Sequence, residues 1–261
     1  MTQTITTKLR QSSVSHAAII WGLRVALVLA LLGAWLLGTG PAEVSPLILP
    51  EMTTVFSSFI SMFTDPVIWQ AAGVTVWAML VAFALAAGVG LAVGFIVSRS
   101  SMLSATFEPL FAWGYIFPVA LLYPLFLIWF GVGVESKIFF AFINAVFPIA
   151  FNTVKGLRNI EPRYLKVGQA FGASKTQIDW HIKPGAAWPM ILAGLRLGAA
   201  MVTINVVLAE VLGAKAGLGY ELQQAANTLQ IADSYAVILY LIIITAILLG
   251  VMERLLRPRH G

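Results

Sequence analysis

The sequence predicts an all-α, polytopic membrane protein with about six transmembrane helices. Of its 261 residues, 59% are hydrophobic and only 10% are charged, and its mean hydropathy is +0.90. Soluble domains carry about 25% charged residues, so the surface of this chain suits lipid better than water. Several runs are also long enough to cross the hydrocarbon, which takes about 20 apolar residues in a helix.

The six predicted spans are separated by polar or proline-rich segments. They cover residues 17–37, 69–97, 107–130, 138–154, 189–212 and 235–252. Pro118 and Pro124 interrupt the third span, because proline removes a backbone hydrogen bond and kinks a helix.

The connecting segments differ in character. Residues 1–16 are polar and are expected to form a loose cytoplasmic tail, and a basic tail occupies residues 254–261. Residues 38–68, which include Pro41, form an external loop with a short amphipathic helix near residues 53–63, and residues 213–234 form a second external loop. The transmembrane domain therefore covers residues 17–253.

Lysine and arginine placement gives the orientation, because these residues are enriched in cytoplasmic loops. With both termini in the cytoplasm, only Lys137 and Lys215 face outward. The basic residues that then face inward are Lys8, Arg10, Arg99, Lys155, Arg158, Arg163, Lys166, Lys175, Lys183, Arg254, Arg257 and Arg259. The same bias explains the net charge of +5, so no nucleic-acid partner is expected, and anionic membrane lipid is.

The composition also argues against an enzyme. The chain has no cysteine and its 3 histidines lie far apart, so a thiol nucleophile is excluded and a zinc site is not expected. It lacks the Gly-x-x-x-x-Gly-Lys-[Ser/Thr] loop that cradles the phosphates of ATP. No cofactor is therefore expected on this chain, and any ATPase must be a separate polypeptide.

The largest polar segment, residues 155–188, lies between the fourth and fifth spans on the cytoplasmic side. Pro162 suits the first turn of a helix, and apolar residues recur through this helix at helical spacing. They are Ile160, Tyr164, Val167 and Phe171. An amphipathic helix that projects from the bilayer indicates a docking surface for a partner, although a basic helix held by anionic lipid would have a similar pattern.

A tight corner is expected to follow this helix. Gly172 can end it, and Ser174 can cap a second short helix. Pro184 is expected to stop that second helix after about Ile182. The segment is thus predicted to be two short helices joined at Gly172.

This segment resembles the EAA loop of ABC importer permeases of the binding-protein-dependent type. Gly172-Ala173-Ser174-Lys175 is similar to the Gly-Ala-Ser turn of that loop. Lys166-Val167-Gly168 stands where the family has its Glu-Ala-Ala triplet, and Ile182-Lys183-Pro184 replaces the hydrophobic-Leu-Pro ending about one residue early.

Further motifs resemble the subfamily that handles nitrate, alkanesulfonates, taurine and thiamine-precursor pyrimidines. They lie in order along nearly the whole chain. They are Pro46-Leu47-Ile48-Leu49-Pro50, Trp129-Phe130-Gly131-Val132-Gly133 with Ser136-Lys137, Phe147-Pro148-Ile149 with Asn152-Thr153, Gly194-Leu195-Arg196, Ala209-Glu210 and Gly217-Leu218-Gly219-Tyr220.

The resemblance implies a type I ABC importer-like permease fold in the bacterial inner membrane. It implies a second permease copy, two ATPase subunits that bind ATP and Mg, and a periplasmic or lipid-anchored substrate-binding protein. The substrate would be a small organic or inorganic anion, or a pyrimidine-like compound. The residues implied in ATPase coupling are Arg163, Lys166, Val167, Gly168, Gln169, Ala170, Phe171, Gly172, Ala173 and Ser174.

Candidate pathway residues lie mainly on the fifth span. Arg196, Thr203 and Glu210 are seven residues apart, close to two helical turns, so they form one polar stripe. Charges at membrane depth tend to face protein or water. Glu210 is a candidate for an outer gate or for a structural hydrogen bond to the external loop, and Arg196 either faces the pathway or reaches the inner headgroups.

Tyr123 and Asn144 are further pathway candidates, with a packing role as the alternative for each. Two glycine pairs, Gly90/Gly94 and Gly194/Gly198, have the spacing that lets helices approach closely. They could serve a dimer interface or packing within the chain. A secondary transporter is the main rival class, but it would need its own coupling-ion site and often an inverted repeat, and neither is evident.

Overall fold

A computed structural model describes residues 2–40 and 44–255, and for residues 2–17 and Leu255 it describes the backbone alone. All regular structure in this part of the chain is helical, which confirms the all-α prediction. Pro41, Arg257 and Arg259, which belong to predicted loop and tail segments, lie outside the described residues.

Five helices in the described ranges are long and apolar enough to cross a membrane by themselves. They are α1 (Thr2–Thr39), α3 (Pro66–Ser98), α6 (Val134–Arg158), α9 (Lys183–Gly213) and α11 (Ile231–Leu255). The shorter helices are α2 (Met52–Ser61), α4 (Ser101–Ile116), α5 (Tyr123–Phe130), α7 (Pro162–Ala170), α8 (Lys175–Gln177) and α10 (Leu218–Asn227).

The third predicted span is broken. Helix α4 ends at Ile116, and the chain passes Pro118 and a 3₁₀ turn at Val119–Leu122 before α5 begins. The two halves differ in direction by 79°. Pro118 lies at the break, whereas Pro124 stands in the first turn of α5, where proline is tolerated because that amide has no helical partner.

Helices α3, α6 and α9 form the centre of the bundle. Ile149 of α6 is wedged between two glycines, since a Cβ added to Gly90 of α3 would lie 2.8 Å from the Ile149 Cβ and one added to Gly198 of α9 would lie 2.5 Å from its Cδ1. Gly94 faces Thr153 and Gly194 faces Asn152 in the same way. The sequence left two uses open for these glycine pairs, a dimer interface or packing within the chain. In the structure, both pairs serve packing within the chain.

Helix α1 stands at the edge of the bundle. It begins at Thr2, so the segment expected to be a loose tail has a helical backbone that continues into the first span. None of the residues in its most apolar stretch is buried. Its outer end is attached to the rest of the chain, because Trp35 Nε1 donates to the Pro50 carbonyl at 3.0 Å and its ring packs on Tyr235.

The expectation that Pro184 stops the second cytoplasmic helix is wrong. A π-helical turn at Ile178–Ile182 connects α8 to α9, and the Lys183 amide donates to the Ile178 carbonyl, five residues back. Proline removes one helical hydrogen bond and crowds the preceding turn, and such irregular turns are where helices absorb that defect. The result is one continuous helix of 39 residues, Lys175–Gly213.

Gly94→Ala is expected to lower the melting temperature of the detergent-solubilised protein. The new Cβ would lie 2.6 Å from the Thr153 Cβ and 2.9 Å from the Ala150 carbonyl oxygen, so α3 and α6 must separate at a cost of about 1–3 kcal/mol. Gly88→Ala is the control on the same helix, because nothing lies within 4 Å of its Cβ position. Equal melting temperatures for the two variants would contradict this packing.

Candidate functional site

The corner predicted on the cytoplasmic side is built by two capping motifs. At the end of α7, the Gly172 amide donates to the Gln169 carbonyl at 2.9 Å and the Ala173 amide to the Gly168 carbonyl at 3.0 Å. This bond pattern needs a left-handed residue, usually glycine, and Gly172 has φ of +74°. The prediction that Gly172 ends the first helix is confirmed.

Ser174 then starts the second helix. Its side-chain oxygen accepts from the Gln177 amide at 3.3 Å, and its own amide donates to the Gln177 Oε1 at 2.8 Å. This reciprocal pair is a capping box, which confirms Ser174 as the predicted cap. The corner between the helices is therefore set by local sequence.

The apolar face predicted on α7 is open to solvent in this chain. Phe171 is 88% exposed and Val167 56% exposed, and they border a groove of about 670 Å³ that Tyr164 and Ile182 also line. Most of the predicted coupling residues share this exposure; they are Arg163, Lys166, Val167, Gln169, Ala170, Phe171, Gly172 and Ser174. Ala173 is half-buried and Gly168 is buried.

Gly168 seats α7 on the rest of the chain. A Cβ at this position would overlap the Cδ1 of Ile182 in the π turn. The absence of a side chain thus lets the α7 backbone pack directly on the start of the long helix. The cytoplasmic helices and the fifth span are therefore one packed unit.

The outer end of the same long helix carries a buried charge cluster, which we call the outer polar cluster: Thr75, Lys137, Glu210 and the amides of Leu218 and Gly219. The Glu210 carboxylate lies 2.7 Å from the Lys137 ammonium, and the two side chains are 0% and 1% exposed. It also accepts from Thr75 Oγ1 at 2.9 Å and from the Gly219 amide at 3.0 Å.

The second external loop closes on this cluster. Lys137 donates to the Ala216 carbonyl at 2.9 Å, and the Leu218 amide donates to Thr75 Oγ1 at 2.9 Å. Gly217 has φ of +114°, and a Cβ there would overlap the Glu210 carboxylate. The carboxylate therefore lies at the N-terminus of α10, where the helix dipole favours negative charge.

The polar stripe predicted on the fifth span does not form one open surface. Glu210 and Thr203 are buried, and Thr203 Oγ1 donates within its own helix to the Ala199 carbonyl. The Glu210 geometry corresponds to the structural hydrogen bond to the external loop rather than to an open gate. Arg196 is exposed, and the described residues include no ion-pair partner for it.

The two weaker pathway candidates occupy packed positions. The Tyr123 side chain is buried, its ring meets Phe140 edge-on at 5.0 Å between centroids, and its hydroxyl has no hydrogen-bond partner among the described residues. Asn144 is half-buried, and its Nδ2 donates to the Phe140 carbonyl one turn earlier. Both fit the packing alternative.

Sequence reasoning missed Thr75 and the pairing of Lys137. Lys137 was expected to face outward; it lies in the first turn of α6, and it is buried against Glu210. One signal could have found the pair, because each is a charge near the outer end of an otherwise apolar span. Among the described residues no group of His, Asp or Glu is placed to hold a metal ion.

Comparison with known proteins gives the class. Residues 84–259 match the family described as binding-protein-dependent transport system inner membrane component. The chain is 28% identical over 247 residues to the taurine transport system permease protein TauC of Escherichia coli, covering 92% of this chain and 90% of TauC. It is 30% identical to the nitrate import permease protein NrtB of Synechocystis sp., covering 71% of this chain and 70% of NrtB.

A structural comparison agrees. A chain of the MetNI methionine ABC transporter, solved in inward-facing conformations, superposes with a TM-score of 0.59 and 18% identity, covering 74% of this chain and 99% of that one. The fold is thus that of a type I ABC importer permease. The chain belongs to the binding-protein-dependent inner membrane component family and is a multi-pass ABC importer permease of the sulfonate, taurine and nitrate type, which sets the secondary-transporter alternative aside.

Lys137→Met is expected to destabilise the protein by about 3–5 kcal/mol, because it leaves the buried Glu210 carboxylate without its counter-charge. Adding Glu210→Gln is expected to restore part of that loss, since a neutral amide is cheaper to bury. Thermal unfolding in detergent measures both effects.

Lys215→Met is the matched control, because Lys215 is a lysine of the loop that closes on the outer polar cluster, and its side chain is exposed. Its melting temperature is expected to equal that of the parent chain. If Lys137→Met unfolds at the same temperature as Lys215→Met, the outer polar cluster does not hold the loop.

Proposed function

We propose that this chain forms the translocation pathway of a bacterial ABC importer for a small anion and couples it to a separate ATPase through α7 and the Gly172 corner. The observation that carries the proposal is the exposed apolar face of α7, fixed rigidly to the fifth span. Large apolar side chains such as Phe171 gain from burial, and a contiguous exposed group of them marks an interaction surface.

The length of the long helix favours a protein partner over lipid for this face. Its 39 residues extend about 58 Å, whereas the hydrocarbon core is about 30 Å thick. Because α7 packs on Ile182, before the predicted fifth span begins at residue 189, it would lie beyond the membrane core, where a protein can reach Phe171.

The same helix supplies the mechanical connection. A displacement at the Gly172 corner is transmitted along α9 to Glu210, which holds the second external loop. Movement of the ATPase would thus shift the outer end of the pathway. Packing of α7 on Ile182 through Gly168 makes the two ends respond together.

The remaining partners follow from the family and from the packing. Contacts such as those around Ile149 fill the space between α3, α6 and α9, so the pathway lies between this chain and a second permease copy. Two ATPase subunits would bind ATP and Mg, and this chain would bind no cofactor of its own. The assembly would sit in the bacterial inner membrane.

The binding protein, soluble in the periplasm or lipid-anchored, would dock on the outer surface formed by α2 and α10. A cavity of about 310 Å³ opens there, lined by Asp65, Glu221 and Asp233. Burial, and after it the negative charge of Asp65, raises the pKa of the Glu221 carboxyl above its ordinary value. This surface suits a basic contact from the binding protein.

Arg196 supports an anionic substrate. It is an exposed cation within the apolar part of α9, and charges at that depth face water or protein rather than lipid. The printed names of the relatives include taurine and nitrate transport, and a guanidinium binds sulfonate-like and nitrate-like oxygens well. A pyrimidine-like compound is the alternative substrate.

Gly172→Asp is expected to abolish transport while the protein still inserts. Aspartate is strained at φ of +74°, although no atom lies within 4 Å of its Cβ position, so the cost falls on the corner rather than on the bundle. Phe171→Ala is the milder variant, expected to weaken retention of the ATPase about tenfold or more. Membrane abundance, ATPase co-purification and uptake are measured in the same cells.

Asn159→Ala is the control, because this residue is exposed on the same predicted cytoplasmic segment but belongs neither to the groove nor to the predicted coupling residues. It is expected to retain the ATPase and uptake. Normal uptake by both Phe171→Ala and Gly172→Asp at normal abundance would show that this loop is not the coupling element.

Arg196→Gln is expected to lower uptake of labelled taurine, ethanesulfonate and nitrate about tenfold or more, because a charge-assisted contact to the anion is lost. Arg196→Lys keeps the charge and is expected to retain part of the uptake. The parent chain, Arg196→Gln and Arg196→Lys are expected to co-purify equally with the ATPase, so that a loss of uptake is assigned to the pathway. Full uptake by Arg196→Gln for every transported anion would contradict the assignment.

A further inference from the structure

A cavity of about 390 Å³ lies between the inner end of α3 and the start of the long helix, away from the apolar groove of α7. Its polar lining is mainly basic and hydroxylic: Arg99, Lys175, Lys183, Ser98, Thr176 and the single carboxylate of Asp179. We propose that this cavity binds a phosphate-bearing anion, and that its source is the headgroup of an anionic phospholipid.

Arg99 is held in place by aromatic rings. Its guanidinium carbon lies 4.7 Å from the ring centroid of Trp180 and 5.5 Å from that of Phe95, and the two rings are 5.3 Å apart. Within the described residues, its guanidinium forms no ion pair. A guanidinium fixed by cation–π contacts still has its N–H donors free, and their planar geometry fits phosphate oxygens.

The charge balance of the cavity favours an anion. Asp179 is occupied by Lys183, with the ammonium 2.6 Å from its Oδ1. Arg99 and Lys175 then remain as two positive charges without a described counter-charge. A phosphate group placed between them would form charge-assisted hydrogen bonds with both.

A second cavity of about 240 Å³ shares Arg99 and Lys183 with the first and adds Arg158 and Ser101. The basic surface thus continues along the inner end of α3. Two of these side chains already have partners. Arg158 Nη1 donates to the Ser100 carbonyl at 3.3 Å and its Nε lies 4.0 Å from Glu108 Oε1, and Lys183 is paired with Asp179. The pair of cavities is large enough for a headgroup larger than a single phosphate.

The position of the cavity favours lipid as the source. Arg99 directly follows the last residue of the 33-residue span α3, and tryptophan such as the half-exposed Trp180 is typical of the headgroup level. Ile96, one turn before Arg99, is 62% exposed and offers an apolar surface for an acyl chain. Basic pockets between helices on the cytoplasmic side are suited to anionic lipid headgroups.

An anion in this cavity would connect the end of α3 to α8, the first turn of the helix that follows the Gly172 corner. It would relieve the repulsion between Arg99 and Lys175 and hold the cytoplasmic helix against the membrane surface. The apolar groove next to Phe171 would remain free for the ATPase.

The test is native mass spectrometry of the purified full-length permease in detergent, with phosphatidylglycerol, phosphatidylcholine or inorganic phosphate added separately. The parent chain is expected to retain phosphatidylglycerol in preference to phosphatidylcholine. Arg99→Gln combined with Lys175→Gln is expected to weaken that retention about tenfold or more. Arg254→Gln, which removes an exposed charge near the inner end of α11, is the matched control and is expected to bind as the parent does.

The outcomes separate the possible occupants. Inorganic phosphate that binds to the parent, displaces phosphatidylglycerol and fails to bind to the double variant would support the site with a soluble source. Equal retention by the double variant and Arg254→Gln would overturn the proposal. The proposal would also be overturned if the double variant retained lipid as the parent does but no longer co-purified with the ATPase, because the cavity would then hold a carboxylate of the ATPase. Lys175→Gln alone changes only an exposed side chain and gives the same test if the double variant does not fold.

Discussion

The buried carboxylate of Glu210 is the point on which the outer half of this molecule depends. A carboxylate inside a membrane protein is stable only when counter-charge and hydrogen bonds replace water. Here Lys137 from α6, Thr75 from α3 and the Gly219 amide of α10 provide them. Satisfying the charge of Glu210 therefore joins α3, α6 and α9 to the second external loop, which contains α10.

That requirement also determines the shape of the external loop. The chain must pass close enough to Glu210 for backbone amides to reach it, and only a residue without a Cβ fits at Gly217. The loop is consequently attached to the outer end of α9, while the Gly172 corner and α7 are attached to the inner end of the same continuous helix. Under the proposed function, coupling between a cytoplasmic ATPase and the outer surface would need only movement of that helix.

Much of the fold followed from local rules. Composition and apolar runs predicted the spans, and Gly172 with Ser174 predicted the corner, because caps depend on neighbouring residues alone. Pro118 and Pro124 were both predicted to interrupt the third span, but only Pro118 lies at the break, and Pro124 stands in the first turn of α5. Pro184 was wrongly predicted to stop a helix, because its effect does not depend on neighbouring residues alone. Whether a helix stops at a proline or absorbs it in a π turn depends on what packs against that turn, and here Gly168 of α7 packs on Ile182.

The sequence by itself determined the membrane class, the family, the helix at Pro162–Ala170 and the corner at Gly172, since each rests on composition, periodicity or short motifs. The tertiary structure alone decided which polar residues meet. It buried Glu210 with Lys137, which is 73 residues away in the chain, left Arg196 exposed, and placed Arg99 against Trp180. Such pairs are set by how helices cross one another, and no local pattern encodes the distance between residues on different helices.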